Sequence, residues 1–298
     1  MLTEQRNPRS MAIDRMTVDD AFDVINAEDA TVPAAVAAAK PQICRAIKLV
    51  VDALAKGGRL IYIGAGTSGR LGVLDASECP PTFLTDPDMI QGAIAGGYDA
   101  LRRSIEGAED IAESGAAEVD ARNVGPNDVV FGIATGGTTP YVHAALARAK
   151  ERGARTVFFA CVSHEQVLDQ ADVSIRVLTG PEVITGSTRM KAGTATKLVL
   201  NMVTTISMVR LGKTYQNLMV DVNTFACTKL VDRATRIVQT LTGLERDAAR
   251  RLLEDAGGRV KTAIVMHQCG VDRETADRRI DAGRGRLADA IGAAVLSR

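Results

Sequence analysis

Five short β-branched runs, at residues 59–64, 89–95, 128–134, 156–162 and 173–178, alternate with helical patterns at 68–77, 100–120, 140–152 and 165–169. Few architectures accept that alternation. Runs this continuously apolar must be covered on both faces, and strands joined by crossover helices lie parallel, so the chain predicts an α/β fold built on a doubly wound five-stranded parallel sheet. The carboxyl edge of such a sheet, where loops enter helices, is the expected place for a ligand.

The flanks read as helical. Residues 17–55 carry Ile43, Ile47, Val50 and Leu54 at helical spacing, with breaks near Thr31-Val32-Pro33 and at Pro41. Residues 190–213 form a long helical run in which Leu198, Met202, Thr205, Ile206 and Val209 share a face, as expected of a helix spanning the sheet or a subunit interface; residues 224–240 form another. After Gly243 the chain is rich in Arg and Asp, with turns at Gly257-Gly258, Gly270 and Gly283-Arg284-Gly285. Leu252, Leu253, Val260, Ile264, Val265, Ile280, Leu287 and Ile291 recur there at bundle-like intervals. The expected organisation is a helical segment over 1–56, a sheet domain over 57–240 and a small helical subdomain over 241–298.

The 298 residues include 36 Lys+Arg and 36 Asp+Glu, a formal net charge of zero. Duplex binding draws on a basic excess and single-strand binding on aromatic platforms. Aromatic residues make up 3% of the chain and Trp is absent, so nucleic acid is not an expected partner. The N-terminus, Met1-Leu2-Thr3-Glu4-Gln5-Arg6-Asn7, has no apolar secretory core, and no apolar stretch approaches the roughly 20 residues of a membrane span. Cys44, Cys79, Cys161, Cys227 and Cys269 are scattered without a C-x-x-C pair, and His143, His164 and His267 are isolated. The expectation is a soluble cytoplasmic protein with reduced thiols, no metal site and no membrane partner.

Gly64-Ala65-Gly66-Thr67-Ser68-Gly69-Arg70 follows the first strand and opens a helix, presenting free backbone N–H groups at the sheet edge. With hydroxyls at Thr67 and Ser68, the loop is read as a short G-x-G turn suited to a phosphate monoester rather than to a pyrophosphate crossing three glycines. Thr135-Gly136-Gly137-Thr138-Thr139-Pro140 follows another strand in the same way, with Pro140 suited to a first helical turn. Together the two loops would surround a phosphate with neutral donors. A third hydroxyl-rich stretch, residues 180–194, holds Glu182, Ser187, Arg189 and Lys191 at the start of the long helix. It reads either as another side of the crevice or as a capped helix start with Arg189 and Lys191 exposed. Two carboxylates are within reach of the crevice: Glu78, where Pro80-Pro81 should stop a helix, and Glu109, among Glu106, Asp110 and Glu113. Taken singly, each reads better as a solvated helix face, and spacing alone does not lift it above that.

These stretches resemble one family, the N-acetylmuramic acid 6-phosphate etherases, built on the SIS (sugar isomerase) fold of phosphosugar-binding domains. The similar segments are Thr3-Glu4 with Arg6-Asn7, residues 58–76, Glu78-Cys79-Pro80-Pro81-Thr82-Phe83, and residues 180–194. The resemblance extends through nearly the whole chain, including the helical tail, which it makes UBA-like. It implies an enzyme that removes the D-lactyl ether at C3 of N-acetylmuramic acid 6-phosphate, giving N-acetylglucosamine 6-phosphate and D-lactate in cell-wall sugar recycling. Glu78 is then similar to the family's general acid and Glu109 to its second catalytic carboxylate. Gly66, Thr67, Ser68, Thr135, Gly137, Thr138, Thr139, Glu182, Ser187 and Lys191 are the expected substrate and phosphate contacts. No cofactor is implied, and a homodimer is.

Such chemistry suits two carboxylates. In the open-chain sugar the C2 proton is acidified by the C1 aldehyde; a base, assigned to Glu109, removes it. The lactate oxygen on C3 leaves if an acid, assigned to Glu78, protonates it, and water adds to the unsaturated aldehyde. Glu78 must then hold its proton through burial or a neighbouring charge. One departure from many phosphosugar loops is Thr rather than Ser at position 135. Two other readings share the fold: a phosphosugar-sensing regulator of a hexokinase-type partner, whose relatives carry two such domains in a longer chain, and a phosphosugar isomerase, which has no use for an acid at C3.

Overall fold

The five apolar runs are strands: β1 (Leu60–Gly64), β2 (Ile90–Ile94), β3 (Val129–Ile133), β4 (Arg155–Ala160) and β5 (Val173–Arg176). In the computed structural model, which describes residues 1–222, 224 and 228–292, they pair in parallel in the order β2-β1-β3-β4-β5. β1 and β3 are buried along their whole length, which is why their sequences run apolar without alternation. The chain leaves β1 outward to β2 and returns to β3 on the other side of β1, so the winding reverses between β1 and β3. That reversal opens a crevice at the carboxyl edge.

On one face of the sheet Ile61, Ile63, Val130 and Phe158 share a buried cluster with Val119 of α5 (Ala112–Ala121) and Tyr141, Val142 and Ala145 of α6 (Pro140–Glu151). Tyr62 points to the other face, meets Phe131 edge-on at 5.5 Å and donates its hydroxyl to Asp75 of α4 (Gly66–Phe83) at 3.0 Å. Asp75 also accepts from Asn201 and Thr204 of α7 (Lys191–Arg210), at 2.6 and 3.2 Å. Burial raises the Asp75 pKa against these donors. Strand β1, α4 and α7 are thereby tied at one carboxylate.

Before the sheet lie α1 (Val18–Asp29), α2 (Val32–Ala38) and α3 (Lys40–Leu54). Pro33 and Pro41 fall in the first turns of α2 and α3, where a missing N–H breaks no helical bond. Ile43, Ile47, Val50 and Leu54 are the buried stripe of α3.

Three local expectations need correction. Pro80-Pro81 does not stop α4, which continues to Phe83 and closes through Leu84 N–H to Pro80 O at 3.0 Å, with Leu84 left-handed at φ 49°. The helix expected over 100–120 shrinks to α5, preceded by short 3₁₀ turns at Tyr98–Leu101 and Ala108–Asp110. Residues 165–169 are not helical, because Asp169 accepts from Ala171 N–H, Ser174 Oγ and Arg176 at 2.9, 2.7 and 2.5 Å, and such local bonds compete with a helical ladder.

Two compact units are present, Met1–Ser77 with Asp88–Thr204, and Glu78–Pro87 with the chain from Thr205. The second contains α8 (Thr228–Thr242), α9 (Arg246–Asp255), α10 (Val260–Cys269), α11 (Arg273–Ala282) and α12 (Leu287–Ile291). The helix read from residue 224 thus starts at Thr228; residues 225–227, with Cys227, lie outside the described residues. The breaks between α9 and α12 fall at the expected glycines, and Leu253, Val260, Ile264, Val265, Leu287 and Ile291 are core, joined by Val220, Val222, Ile237 and Val238. On α7 the face of Met202, Ile206 and Val209 is exposed, by 39, 40 and 46%, whereas Val199, Leu200, Val203 and Met208 are fully buried. Among the described residues no helix is long and apolar enough to cross a membrane.

Candidate active site

β1 passes into α4 through Ala65, with Gly66 left-handed at φ 51°. The first helical bond across the junction is Gly69 N–H to Ala65 O at 3.2 Å. The N–H groups of Gly66, Thr67 and Ser68 precede it and stand at the positive end of the helix. Gly69 also completes a G-x-G-x-x-G spacing with Gly64 and Gly66, so the loop is not the shortened turn expected from sequence. A Cβ there would sit 2.7 Å from Gly64 O and 2.6 Å from Ile94 Cγ1; the glycine lets α4 start hard against the strands. The preference for a phosphate monoester therefore rests on the hydroxyls of Thr67, half-buried, and Ser68, buried.

β3, hydrogen-bonded to β1, delivers the second loop beside the first. Thr135 O accepts from Cys161 N–H at 2.8 Å, and Gly137 turns the chain at φ 88° with Val162 2.9 Å from where its Cβ would be. His143 reaches back from α6 to Gly137 O at 2.6 Å, donating from Nε2 because the carbonyl only accepts. Thr135 is buried, Thr138 exposed and Thr139 half-buried. Thr139 makes no side-chain cap on α6, leaving its hydroxyl outside the helix's own bonding.

Glu109 is exposed on the 3₁₀ turn after β2 and lines a cleft of about 110 Å³ that also includes Gly66 and Arg70. What brings this turn to the first loop is Arg70. Its Nε and Nη2 donate to Leu101 O and Arg103 O at 3.3 and 3.0 Å, and Gly107, left-handed at φ 74°, leads the chain into the turn.

The third stretch is mostly structural. Glu182 is fully buried and accepts the N–H groups of Lys191 and Ala192, both at 2.9 Å, capping α7 at its positive end; burial raises its pKa, opposed by these two amides. Lys191 is 1% exposed, contrary to the surface position that a capped helix start implied, and its Nζ pairs with Glu28 at 2.6 Å. Burial works to raise the Glu28 pKa, but the hydrogen bonds of Lys191 and Asn7, with the nearby charges of Lys191 and Arg9, leave it lowered. Ser187 is half-buried. The stretch still adjoins the first loop, since a Cβ on Gly193 would lie 3.6 Å from the Thr67 methyl. The N-terminal segment straps it down: Ser10 Oγ donates to Val183 O at 2.7 Å, Asn7 Nδ2 to Pro181 O at 3.3 Å, and Gly186 N–H to Thr3 O at 3.3 Å.

Glu78 lies on α4 in the second unit and is exposed, so the isolated chain does not bury it. Sequence reasoning singled out neither Glu28 nor Arg70, nor His143 as a loop anchor. Glu28 has no local signal, being 163 residues from Lys191; Arg70 stands inside the first-loop motif, but its partners Leu101 and Arg103 lie some 30 residues on. Among the described residues no group of three or more His, Cys, Asp or Glu is placed to hold a metal ion.

Known proteins share this architecture. Residues 42–150 match the glucokinase regulatory protein N-terminal SIS domain and residues 109–206 match the SIS domain. A solved phosphoheptose isomerase from Francisella tularensis superposes with a TM-score of 0.52 at 19% identity, covering 65% of this chain and 100% of that one, a likeness of fold. Two sequence relatives bear the name N-acetylmuramic acid 6-phosphate etherase. One, from Gloeobacter violaceus, is 59% identical over 90% of this chain and 87% of its own; the other, from Crocosphaera subtropica, is 53% identical over 98% and 96%. Identity of that extent, on a SIS sheet with paired loops at its winding reversal, makes the chain a member of the N-acetylmuramic acid 6-phosphate etherase family.

Proposed function

We propose that this protein is a carbon–oxygen lyase that cleaves the D-lactyl ether of N-acetylmuramic acid 6-phosphate, releasing D-lactate and N-acetylglucosamine 6-phosphate. The observation that carries the reading is the pair of hydroxyl-bearing loops on neighbouring strands β1 and β3, with the Glu109 cleft opening on the first of them. In this account the phosphate is held by the N–H groups of Gly66, Thr67 and Ser68 and by Thr135, Gly137, Thr138 and Thr139. Ser187 closes the third side. Glu182 and Lys191 act one step back, by fixing the start of α7.

Glu109, within the same cleft as Gly66, removes the C2 proton of the ring-opened sugar. The resulting enolate expels the C3 substituent as Glu78 protonates the departing oxygen. Water then adds at C3, and the proton returns to C2. Glu78 is exposed on the single chain; bound sugar or a second copy of the chain would cover it. The exposed apolar face of α7 supports a homodimer. A cytoplasmic location accords with the chemistry of a recycling enzyme and with the unbridged thiols of Cys44, Cys161 and Cys269.

The roles separate in heavy water. With N-acetylmuramic acid 6-phosphate, Glu78→Gln should exchange the C2 proton while releasing lactate about 10²–10⁴-fold more slowly, and Glu109→Gln should lose both reactions. Exchange that vanishes in Glu78→Gln and persists in Glu109→Gln would reverse the assignment.

A further inference from the structure

We propose that Arg70 recognises the carboxylate of the substrate's lactyl arm and so makes the enzyme selective for sugar phosphates that carry it; the proposal rests on the etherase reading above. Arg70 is the only cation among the described residues lining the cleft, which also holds Glu106 and Glu109. Its Nε and Nη2 bonds go to the neutral carbonyls of Leu101 and Arg103. They fix the plane of the guanidinium without cancelling its charge. Three of the five N–H donors of an arginine remain, including both on Nη1. Among the described residues no carboxylate is ion-paired with it, although Glu106 is close enough to the cleft to be bound by Ser104 Oγ, at 2.6 Å.

The substrate's connectivity gives this charge a use. The lactyl carboxylate is four bonds from C2, through C3, the ether oxygen and the lactyl carbon. Whatever holds it must therefore work beside the base that takes the C2 proton. A cleft containing two glutamates repels an anionic arm unless a cation meets it. Arginine suits the task because its planar fork matches a carboxylate in two parallel hydrogen bonds. The cleft, at about 110 Å³, has room for several water-sized groups and so for a lactyl arm. Holding the arm at its carboxylate also fixes the ether oxygen relative to C2, the geometry that elimination requires.

The test compares kcat/KM for N-acetylmuramic acid 6-phosphate and for its lactyl amide, in wild type, Arg70→Met and Arg70→Lys, with inhibition by N-acetylglucosamine 6-phosphate, which lacks the arm. The wild type should prefer the acid by about 10- to 100-fold, the range of one charge-assisted contact. Arg70→Met should lose the preference for the acid or turn it toward the amide, Arg70→Lys should recover part of it, and any weakening of inhibition by the arm-free product should be smaller than the loss of activity on the acid. Loss of activity by the same factor on both substrates, with weakened inhibition, would leave Arg70 merely holding the Leu101–Arg103 turn and overturn the assignment. So would a preference undiminished in either variant. Failure of the wild type to release lactate from the acid overturns instead the etherase reading, and this assignment with it.

Discussion

Lys191 and Glu28 form an ion pair with both side chains at most 2% exposed, and the pair sits directly behind the capped start of α7. Burying two charges is expensive, and removing one partner from such a pair costs about 3–5 kcal/mol because the other is left uncompensated. Glu28→Gln should lose stability of that order at neutral pH, read by urea unfolding. The pH dependence has a definite sign. The folded-state pKa of Glu28 lies below its ordinary 4.5, so the folded chain binds that proton more weakly than the unfolded chain. Its contribution is complete above about pH 4.5 and disappears as pH falls through the lower, folded value. Wild type should thus lose more stability than Glu28→Gln between about pH 5 and pH 3, and parallel curves for the two would remove Glu28 from the account.

At the scale of elements, α7 is amphipathic in an unusual sense: Val199, Leu200, Val203 and Met208 are buried and a second apolar row, Met202, Ile206 and Val209, is exposed. The row fits a second copy of the chain. Ile206→Glu should convert a dimer to a monomer in analytical ultracentrifugation while leaving the unfolding midpoint of the monomer close to that of the parent; a species of unchanged mass would rule out α7 as the contact. The strands were legible because runs such as Leu60-Ile61-Tyr62-Ile63 and Val129-Val130-Phe131 are buried on both faces and need no alternation to reveal them. The tail was legible through its glycine breaks. The stretch after β2 was not: its Ala and Glu residues favour a helix, and the bonds that arrange it otherwise come from Arg70, some 30 residues earlier. Nor did Pro80-Pro81 mark a true end, since α4 gives up N–H bonds at those positions and continues. The candidate carboxylates could be named from the motif, whereas the shared cleft of Glu109, Gly66 and Arg70 depends on those long-range bonds.

For the whole molecule, a formal net charge of zero suits a protein that gathers one phosphate with backbone N–H groups and hydroxyls, and sets a single cation against a carboxylate arm. Cleavage of the ether through the C2 carbanion leaves an isotopic trace when the wild-type reaction runs in D₂O and both products are examined by mass spectrometry and proton NMR. D-lactate should carry no carbon-bound deuterium, and N-acetylglucosamine 6-phosphate should carry one deuterium, at C2. Lactate released with the C2 protium retained would contradict elimination, and no lactate at all would contradict the function itself.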